Sequence, residues 1–307
     1  MKHITILLSI FLGSLFLSSE VKENKTDLCK ENLKGKVKSV HSLTYYAIES
    51  NGEVQKGRRT RTNLYEMYTE NGYLKEVRSH RAEVGGALNF IRTLSYNDKS
   101  ELIENINYLP GGKIGYKEDF KYNSKGQIVE NNRITEADGY SYKKAYQYDQ
   151  SGNLLEIVNT QTKATLNTKT VYSYNENNLP IEEITFDYKG NVEFRTVMKY
   201  NERNTLIEKW EYLRDGTREH YKFNDKGLPV ENYTYYEEGD IYDYKATYKY
   251  DANGNSIQYI TYEYDGAIHE KSEYKYFYDD QSNWIKQIEY KDEKPYLIYE
   301  RDIRYYE

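Results

Sequence analysis

Along most of this chain large apolar or aromatic side chains alternate with polar ones, and the alternation is broken at regular intervals by turn signals. The stretch KYDANGNSIQYITYEYDG (249–266) shows the unit. A tyrosine-bearing strand ends at Tyr250, a bend follows over Asp251–Asn255, a second strand runs through Ile260, and EYDG (263–266) bends again. The aromatic that precedes the first bend recurs at Tyr68, Tyr96, Tyr122, Tyr148, Tyr174, Tyr200, Phe223, Tyr250 and Tyr278, a period of about 26 residues that marks a tandem-repeat architecture.

Each column of the repeat has a physical task. Asn or Asp follows the aromatic everywhere except at Thr69, and its side chain can bond back to the bend's own backbone. Four residues after the aromatic stand Gly72, Ser100, Gly126, Gly152, Asn178, Asn204, Gly227, Gly254 and Ser282. Gly and Asn tolerate the positive φ that a tight hairpin requires, so Gly72, Gly126, Gly152, Gly227 and Gly254 are assigned as structural turn residues, with the serines the weaker members. Second turns fall at LPGG (109–112), EADG (136–139), DYKGN (187–191), LRDG (213–216), YEEGD (236–240) and EYDG (263–266). Two turns per period leave strands of roughly eight or nine residues, so one unit is one β-hairpin. NLKGKVKSVHSL (32–43) matches the pattern at Gly35 and Val37 and starts the series.

The predicted fold is all-β: an antiparallel meander of about nine to ten hairpin repeats and about eighteen strands, with no helix of note. A sheet this wide curls. The expectation is one long, twisted, curled open sheet with tyrosines on the concave or packed side and charge on the other. Its exposed edges would be blunted by EVKENKTDLCKEN (20–32) and by the polar last strand.

Composition sharpens this picture. Only 38% of the 307 residues are hydrophobic, counting 37 tyrosines, and 30% are charged, so a thick aliphatic core is excluded. Disorder is excluded too, because disordered chains are poor in aromatics. A net charge of −6 with acids and bases intermixed leaves no basic groove for nucleic acid. MKHITILLSIFLGSLFLSS (1–19) reads as a secretory signal, too short to span a bilayer. A charged polar segment follows over 20–31, then the repeat domain over 32–307. Nothing later has the apolar run of a membrane helix, so the expectation is a secreted or periplasmic protein. Cys29, the single cysteine, lies too far behind the apolar run to carry a lipid anchor and reads as a free thiol.

The motif YxYDxxGN, at Tyr146–Asn153 and Tyr248–Asn255, resembles the YD or RHS repeat of bacterial surface and toxin-delivery proteins. The closing stretch SNWIKQIEYKDEKPYLIYERDIRYY (282–306) is similar to the terminal repeat of small secreted bacterial proteins with divergent RHS-like repeats. The resemblance implies a β-sheet shell, which in the large members encloses cargo, and some members are described as sugar-binding. It implies no activity.

The candidate chemistry is sparse. Eight residues after the aromatic stand Glu76, Glu104, Glu130, Glu156, Glu182, Glu208 and Glu231, then Gln258 and Lys286. Equivalent positions of successive units lie two strands apart, about 9.5 Å. That reaches the outer limit for a glycosidase carboxyl pair and is too far to share a calcium ion. The column reads as a solvated ladder, with Lys121, Lys199, Lys222 and Lys249 placed to lie between its members. Histidines 41, 80, 220 and 269 show no metal-ligand spacing. Neither a strained G-x-S-x-G elbow nor a phosphate loop occurs. No catalytic residue, metal or cofactor is assigned. The expected function is that of a non-enzymatic structural or interaction protein of the cell envelope or exterior, its partner an envelope protein or a polysaccharide. The alternative is a carbohydrate-binding module using exposed platforms, with Trp210, Trp284, Tyr262 and Tyr264 as the candidate contacts.

Overall fold

The computed structural model describes residues 26–81, 86–136, 139–236, 239 and 241–307. The leader assigned to 1–19 and residues 20–25 of the charged segment lie outside them. Strands alternate with tight bends because the sequence alternates β-favouring aromatic and branched residues with residues that accept positive φ. Twenty strands run from β1 (Val37–Ser50) and β2 (Glu53–Tyr68) to β19 (Trp284–Lys291) and β20 (Lys294–Tyr305). Each pairs antiparallel with the next in chain order, and β20 also pairs with β1 from Val37↔Tyr305 to Tyr46↔Leu297.

The sheet is therefore a closed barrel. This corrects the expectation of an open, curled sheet. An open sheet of this width would present two rows of unpaired backbone groups, and closure removes both. The strands expected to need blunted edges are each other's partners.

The bends follow the sequence closely. All nine residues four places after the aromatic have positive φ, from 57° at Asn178 to 86° at Gly152 and Gly254, with Ser100 at 62° and Ser282 at 63°. Asn97 is representative of the residue after the aromatic. Its Oδ1 accepts from the backbone N–H groups of Lys99 and Glu101, both at 3.0 Å. Asn201 repeats this with Arg203 and Thr205. The second turns also hold, with positive φ at Gly111, Gly112, Gly139, Gly190, Gly216 and Gly266, while residues 237, 238 and 240 of YEEGD lie outside the described residues.

Beside each bend the ladder slips. Tyr96 pairs with Leu102, Tyr122 with Ile128 and Tyr148 with Leu154, each next to a register shift that marks a β-bulge. The tyrosine hydroxyl of the next unit then reaches a carbonyl at this spot. Tyr122 donates to Leu102 O at 2.9 Å, Tyr148 to Ile128 O at 2.8 Å, Tyr174 to Leu154 O at 2.8 Å, Tyr200 to Pro180 O at 2.8 Å and Tyr250 to Pro229 O at 2.7 Å. Neighbouring units are thus pinned through a phenol ring.

The seam uses the same bend and bulge, divided between the two ends of the repeat domain, with the Tyr305 hydroxyl donating to the Asp279 carboxylate. Tyr305 supplies the aromatic and Val37 its bulged partner, while Gly35, with φ at 77°, makes the bend. Tyr306 N–H donates to Lys36 O at 2.9 Å, as Asn97 N–H donates to Glu101 O at 3.0 Å within an ordinary bend. Asn283 fastens the seam: its Nδ2 donates to Lys34 O at 2.9 Å and to the Tyr305 hydroxyl at 2.7 Å, and its Oδ1 accepts from Lys34 N–H at 2.7 Å. Gly35 and Val37, which opened the series on sequence, are the second half of a tenth unit that Tyr305 begins.

One helical turn, α1 (Asp27–Lys30), caps this end of the barrel. Thr26 accepts from Cys29 N–H, and Leu28 N–H donates to Gly72 O at 3.1 Å. The Asp27 carboxylate accepts from Leu74 N–H at 2.7 Å. Leu28, Leu33, Val37, Val40 and Tyr68 form the small apolar cluster beneath it. Cys29 is free and exposed, as expected.

Two predictions follow from this geometry. Gly152→Val should lower stability by about 1–3 kcal/mol, because a β-branched residue is strained at positive φ, whereas Lys249→Ala should stay within about 0.5 kcal/mol. Equal urea midpoints would show the bend assignment to be misplaced. In hydrogen exchange, β1 and β20 amides at the Val40↔Ile303 and Leu43↔Glu300 pairs should be protected as strongly as those of any central strand. Fast exchange confined to these two strands would mean that the ring opens at the seam.

Candidate functional site on the inner wall

Strand alternation divides the side chains between two walls. On one wall the mid-strand residues are buried: Asn105, Glu118, Asn131, Thr196, Lys209, Ser272 and Glu289. On the other stand the glutamate column and its cations, with Lys199 and Lys121 side chains well over half exposed. A long charged side chain such as that of Lys209, only 4% exposed, belongs on the concave side, where neighbours crowd it. The tyrosines that pin the units share this inner wall, and the charged wall faces out. A ring of twenty strands encloses more space than one layer of side chains fills, since barrel diameter grows with strand number.

The outer ladder is more ordered than its sequence column suggested. Lys121 and Lys222 pair with Glu130 and Glu231 inside their hairpins, as anticipated, at 2.6 and 3.1 Å, and Lys199 approaches Glu208 at 3.7 Å. Lys249 lies opposite Gln258 instead. A second series joins five of the seven glutamates to the next unit. Lys117 pairs with Glu104, Lys143 with Glu130 at 2.5 Å, Lys169 with Glu156 at 2.5 Å, Arg195 with Glu182 at 2.6 Å and Lys245 with Glu231 at 2.9 Å. Sequence reasoning missed these cations, although their spacing repeats the unit length. Lys121, Lys143 and Asn132 hold the Glu130 carboxyl down at about 2. At Glu231 burial pushes upward, but Lys245, Tyr233 and Lys222 outweigh it and bring the carboxyl to about 2. Every glutamate of this series has a cation of its own, which is what a structural ladder requires.

The aromatic candidates are separated by the fold. Trp210 lies on the outer wall of β13 (Leu206–Leu213), in a row that runs across paired strands as Trp210, His220, Tyr233, Lys245 and Tyr262. Its indole stacks on His220 at 4.0 Å and 7°, with Tyr235 and Tyr212 stacked nearby at 5.8 and 6.2 Å. Its Nε1 donates to Glu208 at 3.0 Å. Trp284 lies elsewhere, beside Tyr276, with the Arg301 guanidinium 3.5 Å above its ring. Both indoles therefore have a face covered by the protein's own groups. Tyr264 stands in a bend at 71% exposure, away from this row.

The inner wall carries the unusual chemistry. Tyr172 and Glu183 face each other, and along the same row come Thr196, Glu211 and Glu219. Glu211 and Glu219 are directly opposite like charges, an arrangement that destabilises a sheet. Lys209 pairs with Glu211 at 2.6 Å and lies 4.2 Å from the Tyr221 ring centre. Burial, reinforced by Glu211, pushes the Glu183 carboxyl up. Burial does the same at Glu289, which accepts from the Tyr299 hydroxyl at 2.9 Å. Among the described residues no group of three or more His, Cys, Asp or Glu side chains is arranged to hold a metal ion.

No protein-family model and no curated protein matches the chain. Solved structures similar to it include the TcdB2-TccC3-TEV chain, at a TM-score of 0.36 and 10% identity over 84% of this chain. The present chain spans only 19% of that one's length. A porin-like protein from Bacteroides uniformis ATCC 8492 gives a TM-score of 0.36 at 11% identity, covering 88% of this chain and 98% of its own. Its counterpart from Bacteroides vulgatus ATCC 8482 gives 0.32 with the same coverage. Likenesses this distant carry no functional argument, and the two walls are read on their own geometry.

The two walls predict opposite responses to pH. Glu130 and Glu231 have lowered folded-state values, so their contribution is complete above about 4.5 and is lost as pH falls toward 2. Glu183 has a raised value, so its ionisation costs stability as pH rises past 4.5. The double variant Glu130→Gln, Glu231→Gln should lose less stability than the native protein between pH 4.5 and 2, and Glu183→Gln should gain stability at pH 7. Urea midpoints at pH 7, 4.5 and 2.5 check both signs.

Proposed function

We propose that this chain is a non-enzymatic, exported barrel of the cell envelope whose inner wall is its binding surface. The observation that carries the reading is the placing of Glu183, Lys209, Glu211 and Glu219 on the inner wall. Buried charged groups are weak contributors to stability, and well-packed apolar residues at the same positions serve a fold as well or better. Opposed acids inside a closed ring are better explained by contact with a polar partner than by the needs of folding.

The outer wall supports an aqueous setting for the barrel. A membrane-spanning barrel presents a continuous apolar band about 25 Å tall, and each Lys or Arg at mid-bilayer depth costs about 2–4 kcal/mol. Here Lys117, Lys143, Lys169, Arg195 and Lys245 recur around the outside, each tied to a glutamate. The leader-like sequence at 1–19 supports export. Sugar binding on Trp platforms is disfavoured, because His220 and Arg301 already cover one face of each indole.

The test uses immobilised envelope polysaccharide and envelope protein fractions. Binding that Lys209→Met or Glu183→Gln abolishes, and Lys199→Ala preserves, is the expected result. Loss confined to Lys199→Ala would move the binding surface to the outer wall and overturn the reading. Mixed with phospholipid vesicles and centrifuged through a sucrose step, the protein should stay in the aqueous layer, and co-flotation would refute the aqueous setting.

A further inference from the structure

Closure of the ring leaves one length of strand that outruns its neighbours. β1 and β2 are longer than β20 and β3 (Leu74–Arg81), which flank them. The pairing of β1 with β20 stops at Tyr46↔Leu297, and that of β2 with β3 begins only at Leu64↔Ser79. The β1–β2 hairpin runs on to Ser50↔Glu53, and Asn51 and Gly52, with φ of 53° and 80°, close it. Two successive positive φ values on Asn-Gly make the tight turn whose twist suits a hairpin. From Glu53 to Arg59, β2 pairs with β1 alone among the described strands. Its far edge there is a template for another strand.

The residues along this edge are cationic. Lys56 and Arg58 are exposed and stand on opposite faces of the hairpin. The Lys56 ammonium lies 5.1 Å from the Tyr45 ring centre and the Arg58 guanidinium 5.5 Å from that of Tyr46, and successive residues of a strand face opposite ways. Residues two apart in a regular strand would share one face. The register shift between Tyr45 and Ala47 leaves an extra residue on β2 at this point and separates them. Gly57 fits there, since a Cβ would come 3.0 Å from Tyr46 O. Lys56 pairs with Glu300 at 3.1 Å, whereas Arg58 meets no carboxylate among the described residues. Tyr46 and Ile48, 41% and 49% exposed, add apolar surface beside Arg58.

We infer that the far edge of β2 from Glu53 to Arg59 is a docking site at which an acidic, extended segment of a partner protein adds as a further strand. This surface is separate from the inner wall, and the inference does not rest on that wall's role. Main-chain hydrogen bonds supply affinity in strand addition, and alternate side chains supply the choice of partner. A carboxylate on either face of the added strand meets a cation. A second copy of this chain is the poorer occupant, because two such edges side by side would bring cations against cations, and like charges opposite one another destabilise a sheet. An anionic lipid surface is disfavoured by Glu49 and Glu53, which flank the turn that would reach it first.

Fluorescence anisotropy on the whole folded protein tests this with a labelled octapeptide of alternating Val and Glu. Alternating Val-Lys reverses its charge, and alternating Pro-Glu keeps the charge but lacks half of the N–H groups. The Val-Glu peptide should bind at least tenfold more tightly than either. Arg58→Ala should weaken it at least fivefold, and Lys199→Ala, exposed on the outer wall, should leave it unchanged. On the native protein the peptide should slow hydrogen exchange at β2 amides between Glu53 and Arg59, a readout that depends on no variant. Equal binding of the Pro-Glu peptide, equal loss in Arg58→Ala and Lys199→Ala, no slowed amide in β2, or no binding at millimolar peptide would each overturn the inference. So would Arg58-dependent binding to phosphatidylserine vesicles without peptide binding, or a dimer whose formation slows the same amides. Each of these results leaves the inner-wall reading standing, since that reading is decided by Lys209→Met and Glu183→Gln against envelope fractions.

Discussion

The phenol hydroxyl that reaches from one repeat into the bulge of the repeat before it is the contact on which this molecule depends. A bulge disturbs the regular ladder and bends the strand. Tyr122, Tyr148, Tyr174, Tyr200 and Tyr250 each donate to a carbonyl beside the preceding bulge, on the strand paired with their own. The bulge gives curvature and the tyrosine holds it. Burial keeps these phenols protonated: Tyr122, Tyr174 and Tyr200 are pushed up to about 12, so the donor is present at any ordinary pH. A protein with little aliphatic core can fold this way because each joint is satisfied locally.

Around that framework the two walls divide the work. Outside, five of the seven acids of the repeating column are answered by a cation of the next unit, a water-facing arrangement worth little per pair but free of any large penalty. Inside, regularity fails. Glu183, Glu211 and Glu219 occupy one arc, and the wall differs from unit to unit as structural columns do not. Departure from the repeat, on the wall where departure is energetically expensive, is what distinguishes the candidate site from the scaffold.

How far the sequence revealed this depends on distance along the chain. The bends were legible to the residue, Ser100 and Ser282 included, because positive φ and side-chain caps are decided within five positions. The placing of tyrosines and glutamates on opposite walls follows from strand alternation once the bulge is known, but the bulge itself has no composition signal. Closure was not legible. It needs Tyr305 to be recognised as the first half of a unit whose second half is Gly35 and Val37, and the sequence separates those halves by nearly its whole length. Trp210 and Trp284 each have one indole face covered for a related reason. What covers an indole face is set by His220 on the adjacent strand or by Arg301 on the strand after, not by anything beside it in sequence.

The divided joint has a consequence for how such a molecule changes size. Since the junction that completes the circle is made of the same parts as the junctions within it, the loop has no privileged starting point, and any hairpin is as good a link as any other. Gaining or losing one link would alter the girth of the loop, and with it the room inside, while every surviving contact kept its geometry. Capacity in this architecture is counted in whole links, and duplication of a short coding segment is enough to adjust it.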